Sequence, residues 1–195
     1  MSILSFKSQL LGGGARANQF RVELSFPAIV TGTGDAARKG QYLCHAASLP
    51  GSQLGIAMAA YRGRDVPLAG ERTFQPWSVS VYNDTDFAIR DAFEAWSGKI
   101  NDVKENTGVT NPMLYTSQIT VIQLDRNDVA LKKYTLYDAW PTNIGEIALD
   151  FGNNQQIETF PVTFVYTHWT TETIAGGISA TVGINTPFGG IGAAL

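Results

Sequence analysis

Charge is what this chain has least of. Asp, Glu, Lys and Arg make up 16% of its 195 residues, against about 25% in an ordinary soluble domain. Solvated surface is therefore scarce, which points to an exterior covered by copies or partners. Lys and Arg are outnumbered, 14 to 17, giving a formal net charge of −3. That balance argues against a nucleic-acid reader, which needs a Lys/Arg surplus on one face, although nucleic acid could pass by without being held. The single cysteine, Cys44, excludes an intrachain disulfide framework and fits a reducing cytoplasm. In that compartment the sequon Asn83-Asp84-Thr85 carries no glycan. No segment reaches the ~20 apolar residues that span a bilayer, so no membrane anchor is expected, and the N-terminal stretch lacks the apolar region of a signal peptide. With two histidines and one cysteine, none at ligand spacing, a zinc site is not expected.

What is present is 44% hydrophobic sequence in a length suited to one core. "FRVELSF" alternates Phe20, Val22, Leu24 and Phe26 with Arg21, Glu23 and Ser25, the signature of a half-buried strand. "WSVSVYN" places Trp77, Val79 and Val81 opposite Ser78 and Ser80. "ETFPVTFVYTHW" places Phe160, Val162, Phe164 and Tyr166 opposite Thr159, Thr163 and Thr167, with His168 ending the apolar face as a structural histidine. Small hydroxyls recur on the second face. Pro161 marks this strand as an edge or a bulge. "QITVIQLD" and "KKYTLYDAW" read as a hairpin, and "GEIALDF" as a short strand after a turn at residues 141–145.

One helix interrupts the β pattern. After Asp84, Thr85 and Asp86, any of which can cap, Ile89, Phe93, Trp96 and Ile100 share one face, and Gly98 offers a stop, so a helix is expected from about Asp86 to Gly98. Residues 101–116 read as a long loop. The sum is mainly β: an antiparallel sandwich or barrel with one packed helix over residues 20–172. An N-terminal arm (1–19) and an uncharged, Gly-rich C-terminal arm (173–195) flank it.

The chemistry-bearing candidates are weak. In "GTGDAARKG" the positions Gly32, Gly34 and Ala37 match a dinucleotide fingerprint, but the preceding strand alternates, Gly40 should cut the following helix, and no acid lies between Asp35 and Asp65 to take a ribose. A Gly-rich turn fits better. Cys44 and His45, adjacent on a strand, point to opposite faces and cannot form a nucleophile and base pair. Capping and turn chemistry account for Asp84 and Asp86, and for Asp125 and Asp128. Trp77, Trp96 and Trp140 fall in core-like patterns rather than on a glycan-binding platform. No catalytic residue, cofactor or metal site emerges.

The remaining concentration of charge is "YRGRDVPLAGERTF", with Arg62, Arg64, Asp65, Glu71 and Arg72. Near balance in sign suits pairing with a copy of the same surface better than gripping phosphate. Together with "ANQFRVELSFP", "SLPGSQLG", "TFQPWSVSVYNDTDFAIRDAFEAW", "VIQLDRN", "AWPTNIGEIALDF" and "IETFPVTFVYTHW", it resembles the tail tube proteins of large contractile-tailed bacteriophages, from about Ala17 to Trp169. The resemblance implies a β-barrel-like fold shared with type VI secretion tube proteins, homohexameric rings stacked into a hollow tube, and strands of six subunits joined around a lumen. It further implies a virion protein assembled in the host cytoplasm. Its partners would be the tail sheath, baseplate and tail-terminator proteins, with DNA passing through the lumen without specific binding. On that reading the five charged residues make inter-subunit contacts. The rows Ser78, Ser80 and Thr159, Thr163, Thr167 are candidates to face the lumen. The alternatives are the tube of a contractile bacteriocin or secretion system, a monomeric glycan-binding sandwich, and an enzyme with an unrecognised site.

Overall fold

The computed structural model describes residues 2–10 and 14–174. The expected C-terminal arm lies, from residue 175 onward, outside the described residues. In chain order the elements are α1 (Ile3–Gln9), β1 (Phe20–Leu24), α2 (Gly34–Leu43), β2 (Cys44–Ala47), β3 (Ser52–Tyr61) and β4 (Arg64–Phe74). They continue with β5 (Trp77–Tyr82), α3 (Ala88–Ile100), α4 (Pro112–Tyr115), β6 (Ser117–Leu124), β7 (Ala130–Ile144), β8 (Thr159–Val165) and β9 (His168–Thr173).

The strand alternation works as the sequence pattern requires. Val22 and Leu24 of β1, Trp77, Val79 and Val81 of β5, and Phe160, Val162 and Phe164 of β8 are all buried. Strands pair antiparallel in the order β1-β6-β7-β8-β5-β2, with β9 added on β7. β7, at 15 residues, is long enough to serve two limbs. Its first part pairs with β6 and β9, and its last part, from Trp140, pairs with β8. Between them Asp138 takes a left-handed backbone (φ 55°), which turns the strand from one limb into the other. The inner faces of both limbs meet α3 in one core, the antiparallel sandwich that the pattern predicts. Among the described residues the sheet does not close on itself: β1 and β2 are its ends.

α3 buries Ile89, Ala92, Phe93 and Trp96. Phe93 and Trp96 lie with ring centroids 5.7 and 6.2 Å from Phe164, and both meet Phe26. The Trp96 indole N–H donates to the Tyr115 carbonyl at 2.7 Å, so the one polar atom of the side chain is satisfied where it is buried. The start is shifted from the expected position. Phe87 is the cap residue, in a left-handed conformation (φ 53°), while the Asp86 carboxylate accepts from the Ala88 N–H. Gly98 does not stop the helix, which runs on to Ile100.

Other expectations are corrected. Gly40 does not cut a helix: α2 runs through it and packs closely on β1, where a Cβ at this position would sit 2.9 Å from Leu24 Cδ1. "GEIALDF" is not a strand. β7 continues through Pro141 to Ile144, absorbing the missing N–H at a bulge between Pro141 and Asn143, and residues 145–158 form a loop. Nor is β8 an edge strand, since it lies between β5 and β7. Pro161 is tolerated where regular β7 pairing has just ended at Ile144, and the Gly145 N–H donates to its carbonyl at 2.7 Å. His168 does not prolong the apolar face of β8. That strand stops at Val165, and His168 opens β9, exposed and stacked on Tyr137 at 4.8 Å. The long loop at 101–116 contains the single helical turn of α4, started by Asn111, whose side chain accepts from the Met113 N–H.

Candidate assembly surfaces

The charged stretch forms the distal part of a long hairpin. β3 and β4 pair from Ser52↔Phe74 to Tyr61↔Arg64, leaving Arg62 and Gly63 as a two-residue turn. Both have positive φ, 49° and 79°, the geometry of a type I′ turn. Glycine supplies the second position without strain. At its base the hairpin is tied to the body: Phe74 packs on Tyr166 and Trp169, and the Trp169 indole N–H donates to the Gly51 carbonyl. From there outward nearly every residue is exposed.

Alternation gives this hairpin two apolar faces. Leu54, Ile56 and Met58 lie on one face of β3, while Ala57 and Ala59 on the other pair with Leu68 and Val66 of β4. Ile56 is 72% exposed, Met58 61% and Leu68 54%. Among the five charged residues, Arg62 lies over the Tyr61 ring at 5.4 Å, and Arg72 Nη1 donates to Ser52 Oγ at 2.7 Å. The ion pairs of the described residues involve none of the five. The structure thus brings Arg62, Arg64 and Asp65 together at the tip and leaves Glu71 and Arg72 near the base.

The second surface is the outer face of β5 and β8. Ser78 stands opposite Thr163 with hydroxyls 2.9 Å apart, Ser80 opposite Pro161, and Tyr82 opposite Thr159. Four of the five hydroxyl residues therefore share one face. Thr167 leaves the row, because β8 ends two residues earlier and the Thr167 N–H donates to the Tyr137 carbonyl instead. The residues on this face of the two strands, Ser78, Ser80, Tyr82, Thr159, Pro161, Thr163 and Val165, include no Lys or Arg.

The groups that could suggest catalysis have structural partners. Cys44 is buried, and burial pushes its thiol up to about 12, so it stays protonated at neutral pH. His45 is exposed and stacked on Tyr82 at 4.1 Å. Asp84 and Asp86 both accept from Lys39 of α2, which sequence reasoning missed because 45 residues separate Lys39 from Asp84. This cluster holds α2 to the start of α3. It lowers both carboxyl pKa values and raises that of Lys39, through the side-chain hydrogen bonds first. Asp125 closes the β6–β7 turn by accepting from the N–H groups of Asn127 and Val129. Trp77 and Trp96 are core residues and Trp140 is half-buried against Tyr115, so these three do not form an open aromatic platform.

Two apolar surfaces had a signal that the charge-centred reading passed over. The period-two run Leu54, Ile56, Met58 announces β3 and its exposed face. α1 carries Ile3, Leu4 and Phe6, all exposed, and buries none of its residues.

Comparison with known proteins agrees with this geometry. The sequence model of the phage tail tube protein family matches residues 15–172. The tail tube protein of Serratia phage KSP90 is 32% identical over 139 residues, covering 71% of this chain and 78% of that protein. Tail tube protein gp19 of Enterobacteria phage T4 is 31% identical over 163 residues, covering 81% of this chain and 92% of the relative. Among solved structures, a chain of the anti-feeding prophage tube-terminating cap aligns at a TM-score of 0.60 with 15% identity, over 83% of this chain and 92% of its own. That likeness is one of fold. The two phage relatives and the family match, which spans both the sandwich and the exposed hairpin, establish that this chain belongs to the phage tail tube protein family.

Proposed function

We propose that six copies of this chain form a ring, that rings stack into the inner tube of a contractile tail, and that the tube conducts the genome when the sheath contracts. The sheath would surround it, with baseplate and terminator proteins at its ends, after assembly in the host cytoplasm. One observation carries this reading: the β3–β4 hairpin is apolar on both faces, exposed along its length and, among the described residues, unpaired at both outer edges. A two-stranded hairpin of this kind is at best marginal alone in water, and its free edges invite pairing. Covering it with neighbouring subunits removes both problems and accounts for the low charge of the whole chain. Arg62, Arg64, Asp65, Glu71 and Arg72 then lie in contacts between subunits or rings.

The hydroxyl face of β5 and β8 lines the lumen in this proposal. Each Lys or Arg that neutralised a phosphate would add counterion-release affinity, with a salt slope of roughly 0.9 per contact, and a long tube would multiply it. A face of Ser, Thr and Tyr without basic groups lets a duplex slide, which favours a genome conduit over a tube that carries none. The ends of the sheet at β1 and β2 offer edges through which limbs of neighbouring subunits can join into one barrel. Negative-stain electron microscopy of the purified chain, with and without baseplate components as nuclei, tests the reading: rings or rods are expected. A species that stays monomeric at high concentration in both conditions would refute it.

A further inference from the structure

We propose that residues 175–195 pack on the apolar face of α1 of the same chain, so that the two segments form one clasp beside the tube body. α1 requires a cover. Ile3 and Phe6 are 74% and 65% exposed, Leu4 and the capping Leu10 are exposed with them, and the helix buries none of its residues. A helix of seven residues is well short of the ~12–15 at which an isolated helix is even marginal in water. Both partners lie outside residues 15–172, the segment that matches the tail tube family, so the shared tube body accounts for neither. The inference does not depend on the tube reading.

The sheet brings the two segments to one corner. Phe20 of β1 stands opposite Gln123, Gln123 opposite Lys132, and Lys132 opposite Thr173, a single row across β1, β6, β7 and β9. β1 begins at this row and β9 ends at it. Three strand spacings of about 4.8 Å separate the two points by roughly 14 Å. Each point is tied to the sheet. The Gln123 side-chain amide donates to the carbonyls of Arg16 and Gln19, and the Ile174 N–H donates to the Leu131 carbonyl. From Arg16 back to Leu10 the chain reaches at most about 20 Å, so α1 stays near this corner, where Ile174 leads into the covering segment. Chemistry selects that segment. From Ile174 to Leu195 the chain has no Asp, Glu, Lys or Arg, and Ile178, Val182, Ile184, Phe188 and Ile191 supply apolar contacts with no charge to strip of water. A membrane surface calls for a basic polar face, whereas α1 has Lys7 as its one basic side chain, beside Ser5, Ser8 and Gln9.

Hydrogen exchange read by mass spectrometry tests the clasp, at concentrations where sedimentation shows monomer. In the full chain the amides of residues 3–10 should exchange at least tenfold more slowly than in a chain ended after Ile174. Exchange over β1 and β5 should be the same in both, the sign that the shortened chain keeps its fold. Equal exchange of α1 in the two chains overturns the proposal. A second variant leaves the chain at full length. Phe6→Asp should speed exchange of α1 and, reciprocally, of residues 178–191, while β1 and β5 keep their wild-type rates; unchanged exchange over 178–191 overturns the contact. Tenfold dilution of the full chain should leave the protection of α1 as it is. Protection that falls on dilution also overturns the proposal, because the cover then comes from a second copy.

Discussion

Replacing Trp96 separates the two roles that α3 could have, core element or interface element. The side chain is 1% exposed, in contact distance of Phe26, Phe93 and Phe164, and its indole N–H is bonded to the Tyr115 carbonyl. Trp96→Ala removes nine ring atoms' worth of packing from a site walled by three aromatic rings, which cannot collapse onto a methyl group. Large aromatic to Ala changes in such sites cost about 3–5 kcal/mol. In a chain of this size, each kcal/mol lowers the midpoint by roughly 2–4 °C, so a drop of about 6–20 °C is expected. Trp96→Phe keeps one ring and loses chiefly the hydrogen bond and part of the packing. It should cost less, about 1–3 kcal/mol, with the unpaired carbonyl contributing roughly 1 kcal/mol of that. The assay is urea unfolding followed by circular dichroism, at concentrations where sedimentation shows monomer. If Trp96→Ala unfolds within about 1 kcal/mol of wild type yet abolishes rings, α3 packs against a neighbour and the core assignment is wrong.

Three further outcomes are expected. Arg62→Ala, Arg64→Ala and Arg72→Ala should each leave the circular dichroism spectrum and unfolding midpoint near wild type, while at least one blocks assembly; normal tubes from all three would make the hairpin charges ordinary solvated surface. The Lys39 cluster should give stability a pH dependence. The contribution of Asp84 and Asp86, whose carboxyls are held below the usual 3.8, is complete above that value and disappears as pH falls through their lowered folded values. That of Lys39, held above 10.5, is complete below that value and is lost as pH rises through its raised one. Lys39→Gln should therefore flatten the acid limb of a stability profile, and an unchanged limb would count against the pairing. Finally, Ser78→Lys tubes should retain duplex DNA with a log–log salt slope that rises by roughly 0.9 per phosphate contacted, whereas wild-type tubes show no such retention. Equal retention by both would remove Ser78 from the lumen.

Local physics made much of the fold legible. Period-two alternation identified β1, β5 and β8, because each has one buried face and one wet face, and period 3.6 identified α3. The misreadings arose where tertiary contact overrides local preference. Gly40 reads as a helix breaker, yet α2 runs through it and packs closely on β1 there. Pro141 reads as the start of a turn and Pro161 as an edge or a bulge, yet a bulge after Pro141 and the end of regular β7 pairing accommodate both inside the sheet. The break at Tyr166 and Thr167 is invisible in an unbroken alternating pattern, because it comes from the change of limb and not from the residues themselves. For the candidate site, alternation brought out the hydroxyl rows of β5 and β8 and charge singled out residues 61–74, whereas the Arg62-Gly63 turn and the pairing of Ser78 with Thr163 emerge only from the structure. The loop at 145–158 was not legible either, since its first part, residues 145–151, reads as one more strand.

The most direct test of the account is a cryo-electron microscopy map of the assembled tube, at a resolution that traces side chains. The expected result is six chains per ring, Ser78, Ser80, Thr159 and Thr163 on the inner wall, and the β3–β4 hairpin covered by neighbouring subunits. A lumen lined mainly by Lys and Arg, or a hairpin left standing in solvent, would contradict it.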